Sequence, residues 1–262
     1  MTNILKFQNM KNTSQKISMI TCYDYWLAKI IDTTNIDAIL VGDSLAMIMH
    51  GYKNTTFTTI DLMCTHINAV SKGAESKIII GDMPFLSFRK SLRDTVEYAL
   101  QIIQSGAHAI KIEGAKGNLK LISHIVESGI PVMGHLGLMP QHINHFGKFK
   151  VQGKLENEAK EIIQSAIELE KSGCFSIVLE CIPMKLAETI TEKLQIPTIG
   201  IGAGSSVSGQ ILVLQDMLGM NHNFHPKFLK TYLNGYQLIR NALNNFDNEI
   251  KTGIFPQDNH SY

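Results

Sequence analysis

The sequence contains a set of short apolar segments that each end on an ionisable side chain, and this pattern is compatible with few folds. In the segment His108–Glu113, Lys111 and Glu113 share one face because alternate side chains of a β-strand point the same way. The isoleucines between them point the other way. Four further apolar segments end in the same manner, on Asp43, Asp82, His135 and Glu180. We interpret all five as parallel strands whose charged ends meet at one active-site mouth.

Segments with helical periodicity separate these strands, so the chain is a repeat of strand and helix. The predicted strands lie at residues 16–22, 38–42, 77–81, 108–113, 131–135, 175–180, 197–201 and 211–215. The main predicted helices lie at residues 25–34, 60–72, 91–105, 155–172, 184–194 and 226–245. Eight such units in 262 residues match the typical TIM barrel of about 250 residues. We therefore predict an α/β protein, a single (β/α)8 TIM barrel over residues 1–262, with a polar tail from about residue 252.

Small residues mark the expected helix ends. Gly73 is predicted to end the helix 60–72 in a left-handed conformation, and Ser91 to begin the helix that follows the third strand. Three Ser-Gly pairs, at 105–106, 128–129 and 172–173, are predicted junctions between a helix and the next strand. The longest irregular segment, 136–154, is expected to be a lid, a binding loop or an oligomer contact.

Composition narrows the class of partner and the compartment. The chain has 24 basic and 23 acidic residues without runs of like charge, so neither a nucleic-acid surface nor a basic membrane patch is predicted. The partner is expected to be a small molecule. The first 16 residues lack the pattern of a secretory signal, no segment has the apolar length of a membrane span, and the four cysteines form no C-x-x-C pair. These features predict a cytoplasmic protein with reduced thiols.

Asp43, Asp82 and Glu113 are the candidate metal ligands. They end the second, third and fourth strands, which are neighbours in a barrel. Three carboxylates at one mouth repel one another unless a cation lies among them, and an all-oxygen set suits Mg²⁺. The alternative is that each carboxylate caps the next helix or pairs with a nearby arginine.

Lys111 is expected in the same cavity because it shares a face with Glu113. Its ammonium could hold a substrate carboxylate or form a Schiff base, and a nearby metal favours the first role. The alternative is a structural bridge to Asp82 or Glu113.

Glu180 and His135 are the candidate proton carriers. Glu180 follows the apolar Val178 and Leu179, a setting in which a carboxyl group can act as general base or acid. The alternative for Glu180 is a structural carboxylate bonded to loop amides. His135 is either a substrate donor, a second proton carrier or a histidine with only a structural partner.

Two other patterns are interpreted as non-catalytic. His142 and His145 have the spacing of metal ligands, but they lie in an irregular segment without a third ligand. The segment Gly200–Gly204 is rich in glycine, yet residues 194–226 contain no lysine or arginine. We expect that glycine segment to pack closely against an uncharged part of a ligand.

Several strings identify the chain as similar to a known family over nearly its whole length. They are Lys16-Ile-Ser-Met, Val41-Gly-Asp-Ser-Leu, Lys111-Ile-Glu-Gly, Pro131-Val-Met-Gly-His-Leu-Gly-Leu, Lys150-Val-Gln-Gly, Val178-Leu-Glu-Cys-Ile-Pro, Ile196-Pro-Thr-Ile-Gly-Ile-Gly-Ala-Gly and Gly209-Gln-Ile-Leu-Val. These strings closely resemble the ketopantoate hydroxymethyltransferase family.

The resemblance implies a barrel of the phosphoenolpyruvate-binding superfamily type. It implies transfer of a hydroxymethyl group from 5,10-methylenetetrahydrofolate to 3-methyl-2-oxobutanoate with Mg²⁺, the first step of pantothenate biosynthesis, usually in a homodecamer. By position, the metal ligands would be Asp43, Asp82 and Glu113 and the proton acceptor Glu180. The keto-acid contacts would be Asp43, Ser44, Asp82, Lys111 and His135.

The chain also departs from the family pattern. Ala46 replaces a usual glycine, Ser208 replaces a common aspartate and Gln215 replaces a common histidine. The last two flank the glycine-rich segment, so they bear on folate contact or subunit packing. Two rival functions are a related barrel lyase or mutase and a metabolite-binding barrel without activity.

Overall fold

Eight parallel strands close into a barrel in the computed structural model, which describes residues 4–142 and 150–262. The strands are β1 Ile17–Thr21, β2 Ala38–Val41, β3 Ile78–Asp82, β4 Ala109–Glu113, β5 Val132–Gly137, β6 Ser176–Glu180, β7 Thr198–Ile201 and β8 Gly209–Leu212. Each strand pairs with the next in sequence, and β8 returns to pair with β1. The predicted (β/α)8 barrel is confirmed.

Among the described residues, one helix precedes β1 and helices follow every strand except β7, which leads directly into β8. They are α1 Leu5–Asn12, α2 Tyr25–Asp32, α3 Leu45–Ile48, α4 Ile60–Gly73, α5 Leu92–Gln104, α6 Leu119–Glu127, α7 Glu156–Lys171, α8 Met184–Lys193, α9 Leu214–Met217 and α10 Gly235–Lys251, with short 3-10 turns at Thr55–Phe57, Ser87–Arg89, Pro140–His142 and Asp258–His260. No helix among the described residues is long and apolar enough to cross a membrane.

The barrel interior changes from apolar to ionisable toward the carboxyl ends of the strands. One buried cluster contains the interior side chains Ala38, Leu40, Ile78, Ile80, Ala109, Met133 and Val178. Two residues further along the same face, β3 presents Asp82, β4 presents Lys111 and then Glu113, and β5 and β6 present His135 and Glu180. The predicted alternation within β4 is therefore confirmed, and the five segments end at one mouth.

Helix α1 is not predicted from its mixed, polar sequence. It buries Phe7 and Met10 in the barrel cluster. Its Lys11 Nζ donates to the carbonyl oxygens of Leu194 at 2.7 Å and Ile196 at 2.9 Å, just before β7. The helix therefore lies at the amino-terminal ends of the strands. Two buried side chains in eight residues are too few to produce a clear periodic pattern.

Helix starts and ends follow the predicted small residues with one exception. Ser91 Oγ accepts the Asp94 backbone N–H at 3.1 Å, which begins α5 as predicted. The glycines of the three Ser-Gly junctions have φ of +111°, +92° and +93°. Gly73 is the last residue of α4 and does not have a positive φ, so its predicted left-handed stop is wrong. A Cβ there would lie 2.5 Å from Tyr25 O, so contact with α2 requires glycine.

Two predicted boundaries near the end of the chain are also wrong. The eighth strand ends at Leu212 instead of Gln215, because Leu214 and Gln215 form the start of α9. The last helix is Gly235–Lys251 and not 226–245. Residues before it are held in other backbone bonds, among them Tyr232 N–H to Met217 O at 2.8 Å. Asn234 caps α10 through its side chain.

The chain divides into two compact units, Met1–Leu212 and Val213–Tyr262. The first contains the whole barrel and the second contains α9 and α10. The prediction of one domain over residues 1–262 stays a prediction. The predicted irregular segment 136–154 begins with the end of β5 and a 3-10 turn, and its residues 143–149 lie outside the described part of the chain, as does His145.

Candidate active site

Strand register places the predicted site residues side by side. Asp82 of β3 is level with Lys111 of β4, and Glu113 of β4 is level with His135 of β5. Glu180 of β6 is level with Gly137, two residues beyond His135. All of these side chains except Glu180 are almost fully buried. The prediction that they meet at one mouth is confirmed.

Lys111 forms a buried ion pair with Asp82. The distance from Nζ to Asp82 Oδ1 is 3.0 Å, although the angle of approach is not that of a directed hydrogen bond. Burial acts to lower the pKa of Lys111, but the charges of Asp82, Glu113 and Asp43 outweigh it and raise the pKa. The ammonium is therefore charged, which does not suit a Schiff-base lysine. It can still offer a hydrogen bond to a bound anion, since an ammonium has three donors.

Asp43 and Asp82 are electrostatically unfavourable neighbours. Burial and the charges of Asp82 and Glu113 raise the pKa of Asp43 well above its usual range. Burial also raises the pKa of Asp82, although Lys111 opposes that shift. The Asp43 backbone N–H donates to Asp82 Oδ2 at 2.9 Å, so the two acids are linked directly. A positive charge between them would lower the free energy of both carboxylates.

Gln141 connects the acids and is a site residue that sequence reasoning missed. Its side-chain Nε2 donates to Asp43 Oδ2 at 2.8 Å, and its backbone N–H donates to Glu113 Oε2 at 3.2 Å. The side chain is only 2% exposed. A glutamine after Pro140 in an irregular segment has no spacing that distinguishes it from a surface residue, so no local signal could have found it.

The donor set fits a hard divalent cation, but the ligands are not gathered around one point. Among residues 4–142 and 150–262, no group of three His, Cys, Asp or Glu side chains is arranged to hold a metal ion. N–H donors occupy one oxygen of Asp43, Asp82 and Glu113. The buried Asp82 Oδ1 lies 3.0 Å from the Lys111 ammonium and the buried Glu113 Oε1 lies 3.5 Å from His135 Nδ1, and neither contact is aligned as a hydrogen bond. Buried carboxylate oxygens that lack an aligned hydrogen bond match the chemistry of Mg²⁺ ligands. The metal site stays a prediction.

His135 lies between two carboxylates. Its Nδ1 is 3.5 Å from Glu113 Oε1 and its Nε2 is 3.3 Å from Glu180 Oε2. Burial and the charge of Lys111 act to lower the pKa of His135, but Glu113 and Glu180 outweigh them and raise it to about 9. Burial acts to raise the pKa of Glu113, and the contact with His135 lowers it overall.

Lys111 also approaches the same imidazole. Its Nζ lies 3.1 Å from His135 Nδ1, which is closer than Glu113. An ammonium can only donate, so this contact requires Nδ1 without a proton and leaves the N–H on Nε2, facing Glu180. The contact with Lys111 therefore acts to lower the pKa of His135, against the two carboxylates that raise it. The imidazole has a neighbouring partner in either protonation state, and the role of His135 as a proton carrier stays a prediction.

Ser44 is held by a buried tyrosine. Tyr23 Oη and Ser44 Oγ are 2.8 Å apart, and Tyr23 is fully buried. Burial raises the pKa of Tyr23, so its hydroxyl keeps its proton. Ser44 comes directly after Asp43 at the mouth and precedes α3 without capping it through its side chain. Its hydroxyl is thereby oriented next to the acids.

The glycine-rich segment 200–204 is occupied by protein groups. Gln210 Nε2 donates to Gly204 O at 2.7 Å, and a Cβ on Gly204 would clash with Met184 of α8. Ser208, which departs from the family pattern, exchanges two hydrogen bonds with Thr198, at 3.2 and 3.3 Å. Ser208 thus has a structural role between β7 and β8. The expected packing of this segment against a ligand stays a prediction.

Solved structures with a similar fold are enzymes of low sequence identity. A phosphonopyruvate hydrolase, crystallised with oxalate and Mg²⁺, matches with a TM-score of 0.65 and 11% identity, over 100% of this chain and 92% of that chain. A 2,3-dimethylmalate lyase of the PEP mutase/isocitrate lyase superfamily matches with a TM-score of 0.64 and 14% identity, over 97% and 90% of the two chains. These matches show the fold alone.

Sequence comparison gives a closer relationship. A 3-methyl-2-oxobutanoate hydroxymethyltransferase of Francisella tularensis subsp. tularensis is 56% identical over 262 residues, which is 100% of this chain and 99% of that protein. One from Coxiella burnetii is 55% identical over 262 residues, 99% and 98% of the two proteins. The family model for ketopantoate hydroxymethyltransferase matches residues 1–258. The chain therefore belongs to the ketopantoate hydroxymethyltransferase family.

Proposed function

We propose that this enzyme transfers a hydroxymethyl group from 5,10-methylenetetrahydrofolate to 3-methyl-2-oxobutanoate to form ketopantoate, the first step of pantothenate biosynthesis. The observation that carries the proposal is the position of Glu180. Its carboxylate is separated from Glu113 of the acidic cluster by the single imidazole of His135. A keto acid held at the cluster would therefore present its neighbouring carbon to a carboxylate base.

Asp43, Asp82 and Glu113 would hold Mg²⁺. When bound, the ion supplies Lewis-acid stabilisation of negative charge on the keto oxygen, which lowers the cost of removing a proton from C3. Asp82 Oδ1 and Glu113 Oε1, which are buried and lack an aligned hydrogen bond, support this assignment, although Lys111 Nζ lies 3.0 Å from the first.

Lys111 and Ser44 would orient the keto acid. The Lys111 ammonium is charged and lies next to Asp82 in the acidic cluster. There it can donate to the substrate carboxylate while keeping its contact with Asp82. The Ser44 hydroxyl, held by Tyr23, offers a second polar contact on the β2 side of the mouth. These groups fix the direction in which C3 points.

Glu180 is our candidate for the base. Its carboxylate would accept the C3 proton, and His135 would hold that carboxylate through Nε2. The electron pair left at C3 would then form a bond to the one-carbon unit from the folate. Overall the reaction consumes one water, which supplies the hydroxyl oxygen, and releases tetrahydrofolate.

Other features support a small-molecule enzyme of the cytoplasm that assembles with copies of itself. Cys22, Cys64, Cys174 and Cys181 are all free thiols, as expected in a reducing compartment. Helix α2 exposes Trp26 at 73% and Ile30 at 61%, a surface suited to a subunit contact. Assembly into a decamer is part of the proposal.

The test is deuterium exchange at C3 of 3-methyl-2-oxobutanoate, followed by proton NMR in D2O with Mg²⁺ and without folate. Glu180→Gln should slow exchange by about 100-fold or more, since removing a general base costs that much. Glu188→Gln, an exposed position on α8, is the matched control. Retained exchange in Glu180→Gln would assign the base elsewhere, for example to His135.

A folate-dependent assay of ketopantoate formation separates this proposal from a binding protein without activity. The wild-type protein should form product with 5,10-methylenetetrahydrofolate. Binding of the keto acid without exchange and without product would contradict the proposed function.

A further inference from the structure

Gln141 ties together the ends of four strands. It follows β5 in the chain, its side chain donates to Asp43 after β2, and its backbone N–H donates to Glu113 at the end of β4. The same Nε2 also donates to Met83 O, directly after β3, at 2.9 Å. The proposed reaction gives this residue no role, although its side chain is 2% exposed and lies inside the acidic cluster.

The three acids share one pattern of hydrogen bonds. Each carboxylate has one oxygen held by an N–H group: Asp43 Oδ2 by the Gln141 side chain, Asp82 Oδ2 by the Asp43 backbone, and Glu113 Oε2 by the Gln141 backbone. The second oxygens of Asp82 and Glu113 have no aligned hydrogen bond, and they lie 3.0 Å from Lys111 Nζ and 3.5 Å from His135 Nδ1. Gln141 thus supplies two of the three donors that orient these groups.

The remaining polar atom of Gln141 points to a ligand. Its Oε1 is buried and has no hydrogen-bond partner, although a buried amide oxygen normally has one. An amide oxygen is an acceptor, so the partner it lacks is a donor such as a cation-bound water. A cation held by the acids would bring such water to this position.

We infer that Gln141 is a positioning residue for the divalent cation site. Its amide fixes Asp43, its backbone fixes Glu113, and its Oε1 accepts from water carried by the cation. This inference rests on the proposed function for the presence of the cation. Loss of an outer partner of a metal ligand typically lowers metal affinity about 10- to 100-fold, and we expect that range here.

The experiment is calorimetric titration of metal-free full-length protein with MgCl2. Gln141→Met keeps the length of the side chain and removes both polar atoms, so it should bind Mg²⁺ about 10- to 100-fold more weakly than wild type. Gln164→Met is the matched control, because Gln164 Nε2 also donates to a carboxylate, Glu168 Oε1 at 2.9 Å, on the exposed face of α7. That control should bind Mg²⁺ as wild type does.

A second variant separates the effect of side-chain length at position 141 from the effect of losing the amide group. Gln141→Asn keeps an amide but shortens it by one methylene, which withdraws it from Asp43, so it should lose affinity as Gln141→Met does. If Gln141→Met does not fold, judged by circular dichroism, Gln141→Asn alone decides the question.

Exchange kinetics give a readout that a general structural defect would not reproduce. Relative to wild type, Gln141→Asn should need a higher Mg²⁺ concentration for half-maximal C3 exchange and should have a lower exchange rate at saturating Mg²⁺. The first of these two factors should be the larger one. Wild-type affinity in a folded Gln141 variant overturns the inference and leaves the proposed function intact. Failure of the wild-type protein to bind Mg²⁺ overturns both.

Discussion

His135 places its Nε2 3.3 Å from Oε2 of Glu180. The contact is not aligned as a directed hydrogen bond, and such contacts in ligand-free sites often tighten when substrate binds. Glu180 is the more exposed partner, with 19% of its side chain accessible against 3% for His135. The buried imidazole is therefore the fixed partner, and the carboxylate that reaches the cavity takes its position from it.

Replacing His135 tests this dependence. His135→Asn should slow C3 exchange by about 100-fold, because a displacement of about 1 Å at a reacting group has that effect. The proton acceptor itself remains. Proton NMR in D2O gives the rate, and His124→Asn on the exposed side of α6 is the control. An exchange rate equal to that of wild type would show that Glu180 does not need the imidazole.

Replacing Lys111 tests the charge balance of the acidic cluster. Lys111→Met leaves Asp82 buried without its ion-pair partner, so the free energy of unfolding should fall by about 3–5 kcal/mol at pH 7. Urea unfolding measures the change. Lys120→Met on the exposed face of α6 should change it by less than about 0.5 kcal/mol. A loss below about 1 kcal/mol would mean that the buried acids bind a proton in the Lys111→Met protein and so avoid an unpaired charge.

Gly73 gives a prediction in which structure and helix propensity disagree. Propensity alone predicts that Gly73→Ala stabilises α4, by less than the value of about 1 kcal/mol for a helix interior because Gly73 is the last residue of the helix. The new Cβ would lie 2.5 Å from Tyr25 O and 2.8 Å from Ala28 Cβ, so α2 and α4 would have to separate. We therefore expect the free energy of unfolding to fall by about 1–3 kcal/mol.

Thermal and urea unfolding of Gly73→Ala, compared with Gly129→Ala, separate the two causes. Gly129 has a φ of +92° and no atom within 4 Å of an added Cβ, so its cost is conformational only, about 1 kcal/mol. A Gly73→Ala protein more stable than wild type would mean that the two helices can move apart freely.

Asp37 should make stability depend on pH. It binds Lys6 Nζ at 2.8 Å and the Ser18 backbone N–H at 2.9 Å. Burial acts to raise the pKa of Asp37, but these partners outweigh it and lower the pKa below the ordinary value of 3.8. A lowered pKa in the folded state contributes stability above the unfolded pKa, and that contribution is lost as pH falls through the folded value.

Asp37→Asn should therefore be less stable than wild type by about 1 kcal/mol at pH 7. The difference should persist to about pH 5 and disappear in stronger acid, below the folded pKa. Urea unfolding at several pH values measures it. Asp247→Asn is the control, since Asp247 pairs with Lys251 at the same 2.8 Å but is 60% exposed. A constant difference across the acid range would contradict the assignment to Asp37 ionisation.

Much of the site could be predicted because strands repeat every two residues. The spacing of Lys111 and Glu113 is enough to place both on one face of β4. The isoleucines of the same strand lie on the opposite, apolar face, which identifies the charged face as the barrel interior. Parallel strands also end at the same rim, so acids that are 39 residues apart, such as Asp43 and Asp82, could be assigned to one place. The prediction of a helix over residues 226–245 was wrong at its start, because hydrophobic periodicity does not reveal the backbone contacts that compete with helix formation.

The barrel, the order of its strands and the face on which each ionisable residue lies follow from the amino-acid sequence, since they depend on local period and chain connectivity. The contacts between polar atoms become known only from the folded arrangement of the chain. The contacts of His135 with Glu113 and Glu180 depend on the register between strands, and the contact of Gln141 with Asp43 depends on the 3-10 turn Pro140–His142 after β5. The reason is physical: hydrogen bonds act over about 3 Å, whereas the hydrophobic pattern specifies positions only to the nearest face of a strand.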